Sequence, residues 1–182
     1  MIKILYNYIY IIFSILFLVR NGNSLEIYIG NEDEEFYNLS DVLFDSLYED
    51  ELIVNFVDSY YDMTYVFMDI MLPIDIDITF RGNENGTVFD YKNEVFWGGF
   101  YYFLELGKTF KIENIIFQNF SNKSNDNEVV PLLEIYATFN NFSVIFNNCS
   151  FKSNYNVAIL VDLIEPCDYF NDCEEKYNHL FI

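Results

Sequence analysis

Carboxylates are the most abundant reactive groups in this chain: 29 Asp and Glu stand against 9 Lys and Arg, for a net charge of −20. A short motif of two apolar residues, an acid and another apolar residue places Asp69, Glu105, Glu134 and Asp162 in the same local context. On a strand, successive side chains point to opposite faces, so each acid faces outward when its apolar neighbours face inward. Stacked on adjacent rungs about 4.8 Å apart, these acids would form a like-charged ladder. A ladder of that kind could hold Ca²⁺, a hard cation that takes several oxygen ligands. The alternative is a solvated acidic stripe, which an acid-rich composition supplies on its own.

A second candidate is the aromatic group Trp97, Phe100, Tyr101 and Tyr102. Exposed on a flat sheet, these rings could stack on sugars or form a partner-binding patch. Turned inward, they would simply be core. Acid–base and group-transfer chemistry has little to draw on. The single histidine, His179, sits in an unpatterned tail, and Arg81 directly follows Phe80 at a strand end, where it reads as a solvated turn residue. No phosphate-cradling loop and no Cys/His metal spacing occurs. These features point away from catalysis, and no cofactor is expected apart from calcium at the acid ladder.

The charge also narrows the partners. A strongly negative field repels phosphate backbones, so nucleic acid is excluded, while neutral glycans and basic protein surfaces stay open. Residues 1–24 read as a signal peptide, with Lys3 at the start, an apolar run from Ile4 to Val19 and small residues at Gly22-Asn23-Ser24. The rival reading is an uncleaved anchor, and membrane contact is expected only if that segment is retained. The expected location is therefore extracellular or at the cell surface. Sequons at Asn38, Asn85, Asn119, Asn122, Asn141 and Asn148 fit that route. Asn85 and Asn122 lie in polar stretches and are the best acceptors, whereas Asn148 is expected at a buried bend. Cys167 and Cys173 could close a small disulfide loop in an oxidising compartment. Cys149 reads as a small buried apolar residue.

The elements that must position these groups come from a repeat. Phe110 matches Val144, Ile112 matches Phe146, Asn114 matches Asn148 and Phe117 matches Phe151 at a constant offset. A period of this size is the signature of a solenoid. In each copy the apolar alternation runs through an Asn, as expected if that residue takes the left-handed conformation at a sharp bend. Ile74, Ile76, Ile78 and Phe80 alternate with Asp75, Asp77 and Thr79 in strand fashion. Ahead of the strands lies an acidic lead, in which Ser40 followed by Asp41 can cap a short helix and Leu39, Leu43 and Leu47 recur at helical spacing on one face. The expected division is an acidic lead and capping helix over 25–51, β-helix coils over 52–163 and a tail over 164–182. A terminal cap is what an open first rung requires.

The segments ITFRGN at 78–83, ENIIFQNF at 113–120 and NNCSFKSN at 147–154 resemble those of right-handed parallel β-helix proteins of the pectin-lyase-like fold. They also resemble Asn- and Phe-rich secreted β-helix proteins of anaerobic gut fungi. The resemblance implies an all-β, right-handed parallel β-helix solenoid with a short N-terminal capping helix. Enzymes of that fold carry Asn-Thr-Asp, Gly-His-Gly and Arg-Ile-Lys signatures, and none stands here. The functional expectation is a non-catalytic secreted or surface protein that binds, adheres or supports, with plant cell-wall polysaccharide or an extracellular protein as partner. The alternatives are a pectin-lyase-like enzyme fragment without recognisable catalytic residues, or a membrane-anchored surface protein.

Overall fold

A computed structural model describes residues 24–46, 50–64, 71–94, 99–103, 106–121, 131–137, 141–154, 159–164 and 177–181. The strands assemble into three sheets, and successive strands visit them in turn, so the chain winds as a parallel β-solenoid of about four turns. Sheet A contains β1 (Ser24–Ile29), β2 (Glu51–Phe56), β5 (Asp77–Arg81), β8 (Thr109–Glu113) and β11 (Ser143–Asn147). Sheet B contains β3 (Tyr60–Asp62), β6 (Thr87–Asp90), β9 (Ile115–Gln118) and β12 (Ser150–Lys152). Sheet C contains β4 (Met71–Ile74), β7 (Gly99–Phe103), β10 (Leu133–Ala137), β13 (Ile159–Ile164) and β14 (Tyr177–Phe181). All pairings are parallel except that of β14, which lies antiparallel against β13.

Alternation along each strand sends one set of side chains inward, and parallel pairing stacks like on like. Leu52, Ile78 and Phe110 share one inner column of sheet A, and Val54, Phe80 and Ile112 share the next. All six are buried. In sheet B the inner column is aromatic: Tyr61, Phe89 and Phe117 follow one another with ring centroids 5.6 and 5.8 Å apart, both in edge-to-face geometry. Each buried ring contributes roughly 1.5–3 kcal/mol by area, and the edge-to-face contacts add a smaller specific term. Coil length varies without disturbing this stacking. Asn55 to Arg81 spans 26 residues, Arg81 to Glu113 spans 32 and Glu113 to Asn147 spans 34.

The register pairs Phe110 with Val144, Ile112 with Phe146 and Phe117 with Phe151, as the repeat predicts. Asn114 and Asn148 hold φ values of 57° and 53° at the corner between sheets A and B. The next corner repeats the device with Asn119 at 59° and Ser153 at 54°. In the preceding coil the first corner is taken by Gly82, whose N–H donates to the Glu113 carbonyl at 2.8 Å. A Cβ there would run into the Asn114 carbonyl oxygen and the Thr87 side chain, so the coils approach too closely for any other residue.

Two expectations change, at the lead and at the tail, while a helix stands where the leucine spacing places one. The stretch after residue 23 is a strand and not a lead: Leu25, Ile27 and Ile29 alternate with Glu26 and Tyr28, and β1 pairs in register with β2. The helical segment lies after this strand, as α1 (Glu34–Tyr37) and α2 (Leu39–Asp45). Phe36, Leu39 and Leu43 are buried, but Phe44 is exposed. The tail also keeps some pattern, since β14 extends sheet C with reversed direction. Residues 1–23, 65–70, Cys167 and Cys173 lie outside the described residues. Among the described residues no helix is long and apolar enough to cross a membrane.

Candidate functional site

The outer face of sheet A gathers the polar groups with the most defined geometry. Strand alternation puts one residue from each strand into a single outward column: Tyr28, Asn55, Arg81, Glu113 and Asn147. Their side chains join across the rungs. Asn55 Nδ2 donates to the Ile27 carbonyl at 3.3 Å, and Arg81 Nη1 donates to Asn55 Oδ1 at 3.5 Å. Arg81 Nε donates to Glu113 Oε2 at 3.1 Å, and Asn147 Nδ2 donates to Glu113 Oε1, also at 3.1 Å. Lys111 in the adjacent column donates to Glu113 Oε1 at 2.6 Å. Tyr28, 65% exposed at the β1 end, donates to Glu26 Oε2 at 2.9 Å.

Glu113 is the centre of this network and is itself nearly buried. The Lys111 ammonium bonded to it, with Asn147 and Arg81, outweighs the opposing effect of burial and pushes its carboxyl down to about 2. A carboxylate so firmly ionised and so fully supplied with donors has no proton to give or accept near neutral pH. It holds the rungs in register and leaves amide and cationic groups at the surface.

A second cluster on sheet B has the same character. Asp90 accepts from Tyr60 Oη at 3.1 Å, Gln118 Nε2 at 3.1 Å, Asn119 Nδ2 at 2.8 Å and the Lys92 N–H at 2.9 Å. Burial alone would raise its pKa, but these donors together lower it. The Lys92 ammonium turns instead to Asp62 on the rung below.

The acid motif does not build the expected column. Glu134 pairs with Leu160 and Phe100, while Asp162 pairs with Tyr136 and His179. The motif aligns Glu134 with Asp162, but the strands stack with a shorter offset, so the two acids occupy different columns. Glu134 Oε1 accepts from Tyr136 Oη instead. Among the described residues no group of three or more His, Cys, Asp or Glu side chains is arranged to hold a metal. Asp69 and Glu105 lie outside the described residues, as do Trp97 and Asn122.

Phe100, Tyr101 and Tyr102 are in β7, where Tyr101 stands opposite Ile135, and Phe100 and Tyr102 stand opposite Glu134 and Tyr136. Asn85 is exposed in the turn closed by the Gly86 N–H on the Asn83 carbonyl at 3.0 Å. Two expectations are corrected. Arg81 is a strand residue tied to Glu113, not a solvated turn residue. Asn148 is exposed at its bend, because its left-handed backbone turns the side chain along the corner and not into the core. Cys149 is half-buried, donates to the Ile112 carbonyl at 3.3 Å, and burial pushes its thiol pKa up.

The Glu113 network was not anticipated from the sequence, although a signal existed. Arg81, Glu113 and Asn147 each stand just before a corner residue, namely Gly82, Asn114 and Asn148. That constant position marks one outward column. Compared with known proteins, the chain finds no matching family model, no matching curated protein and no matching solved structure.

Proposed function

We propose that this chain is a non-catalytic, secreted or cell-surface protein that binds an extended neutral polysaccharide along the outer face of sheet A. The observation that supports this reading is the outward column Asn55, Arg81, Glu113 and Asn147. It presents amide and guanidinium donors at regular rung intervals of about 4.8 Å. Such groups suit sugar hydroxyls, which both donate and accept. Tyr28, exposed at one end of the column, offers a ring on which a sugar face can stack. The secretion route, the right-handed sense of the coil and the likeness to pectin-lyase-like β-helices belong to the same proposal, as does a glycan on Asn85.

The test is retention of the purified protein on insoluble plant cell-wall polysaccharides, with calcium and with chelator. Calcium-independent retention that falls at least tenfold in Asn55→Ala/Asn147→Ala is the expected result. Retention unchanged in that variant, or none on any glycan, overturns the assignment to this face.

A further inference from the structure

We propose that Asn141 is the N-glycosylation acceptor of the folded chain, taking an oligosaccharide from a lipid-linked donor. In that transfer the side-chain amide nitrogen bonds to the anomeric carbon of the donor sugar. The bond from that carbon to the lipid pyrophosphate breaks, the nitrogen gives up one proton, and the lipid pyrophosphate leaves. Two groups of the chain must be free for this: the Asn amide, which attacks, and the hydroxyl two residues on, which the transferase holds. An exposed Asn alone is not enough.

The described sequons divide on those two groups. Asn119 Nδ2 donates to Asp90 Oδ1 at 2.8 Å, and Ser121 is buried. Asn148 Nδ2 donates to Asn114 Oδ1, also at 2.8 Å, and Ser150 is half-buried in β12. Asn38 Nδ2 donates to the Glu34 carbonyl at 3.2 Å, and Ser40 lies within α2. All three amides are committed. Asn85 is exposed and joins its turn through the backbone N–H, which donates to Asn83 Oδ1 at 3.1 Å. Its partner hydroxyl is locked instead. Thr87 is fully buried, and its Oγ1 donates to the Asp58 carbonyl at 2.9 Å and accepts from the Asn83 N–H at 3.0 Å.

Asn141 differs on both counts. Side chains two apart on an extended backbone share a face. Asn141 and Ser143 are both exposed, while Phe142 between them turns inward, half-buried with its ring 4.6 Å from that of Phe103. Backbone groups alone hold the segment down. The Asn141 carbonyl accepts from the Gly107 N–H at 2.7 Å, and the Ser143 N–H donates to the Lys108 carbonyl at 2.9 Å. Among the described residues neither the Asn141 amide nor the Ser143 hydroxyl has a hydrogen-bond partner. Ser143 opens β11, which ends sheet A among the described strands, so no described strand of that sheet lies beyond it.

The fold thus separates two kinds of sequon. A glycan on Asn85 has to be attached while Thr87 is still unpaired, before β6 docks, whereas Asn141 stays open after folding. A sugar chain on Asn141 stands at the start of an edge strand, where a bulky hydrophilic group discourages the addition of a further strand. Its occurrence in the cell rests on the secreted reading above, because transfer takes place along that route.

The test treats the purified, folded protein with a eukaryotic single-subunit oligosaccharyltransferase and a lipid-linked oligosaccharide, and follows each sequon by peptide mass spectrometry. It reads access in the folded chain and does not depend on the route in the cell, which recovery of the protein from culture medium measures separately. Asn141 should be modified about tenfold faster than Asn85 or more, since reaction at Asn85 waits on local opening of β6. Short peptides spanning 139–145 and 83–89 should both react, with the second at least as fast as the first, so that the contrast comes from the fold. Ser143→Ala should abolish modification at Asn141 and, because Ser143 is exposed, keep the wild-type melting temperature. Asn141 left bare in the folded protein, Asn85 modified as fast as Asn141, or Asn141 still modified in Ser143→Ala would each overturn the proposal.

Discussion

Asn148 donates its side-chain amide to the side-chain oxygen of Asn114 at 2.8 Å, and the two residues are 34 apart in sequence. Both hold the left-handed conformation, with φ of 53° and 57°. One residue type therefore meets two demands at this corner: it tolerates the bend, and its side chain ties successive coils together.

These two roles can be separated. Asn114→Gly and Asn114→Ala both remove the acceptor for Asn148, but only Ala also meets the steric penalty of positive φ, about 1 kcal/mol or more. Urea unfolding should find the Ala variant less stable than the Gly variant by about that amount. Equal stabilities would mean that the backbone relaxes out of the left-handed region.

Glu113 predicts a pH dependence. Its folded pKa is about 2 against an ordinary 4.5, so the stability it contributes is fully present above pH 4.5 and is lost as pH falls towards 2. The full shift would correspond to about 3 kcal/mol, and the partial exposure of Arg81 and Lys111 reduces this to about 2 kcal/mol. Glu113→Gln should be destabilised by that amount at pH 7. The gap from wild type should close as the pH is lowered, which chemical denaturation at a series of pH values would record.

The aromatic column of sheet B gives a contrast between positions. Phe117 is 3% exposed between Phe89 and Phe151, so Phe117→Ala should cost about 3–5 kcal/mol through lost burial and a cavity. Phe151 is 37% exposed at the end of the column, and Phe151→Ala should cost about 1 kcal/mol under dilute conditions. Thermal melts of the two variants would show the difference directly.

Gly82 predicts the effect of a single added methyl group. In Gly82→Ala the Cβ would lie 2.8 Å from Thr87 Cβ and still closer to the Asn114 carbonyl. The neighbour on that side is backbone fixed by its own hydrogen bonds, so the coil must shift, at about 2 kcal/mol or more. A melting temperature equal to wild type would show that the corner has slack.

The coil architecture could be read from the sequence because the repeat of Phe110–Phe120 in Val144–Asn154 kept one offset through strands and corner alike. The Asn bends were legible for the same reason. β1 was hidden by its setting: Leu25, Ile27 and Ile29 alternate correctly, but they precede an acidic run that dominates the local composition. The acid motif misled because a local pattern says nothing about register, which is set by where the inner apolar residues stack. Glu134 therefore met Leu160 and not Asp162. The Glu113 network could be seen only across coils, since its members come from four different strands and no local pattern joins them.

Coils of 26, 32 and 34 residues rise by the same single rung. All of the difference in length is taken up outside the strands, as in the turn from Asn83 to Gly86. The chain is thus divided into segments with opposite tolerances to gain and loss of residues. Additions at the corners leave every column aligned, so these positions can accept inserted loops or tags. Deleting one residue within β5 or β8 would exchange the inner and outer faces of that rung, placing Arg81 or Glu113 among the core aromatics.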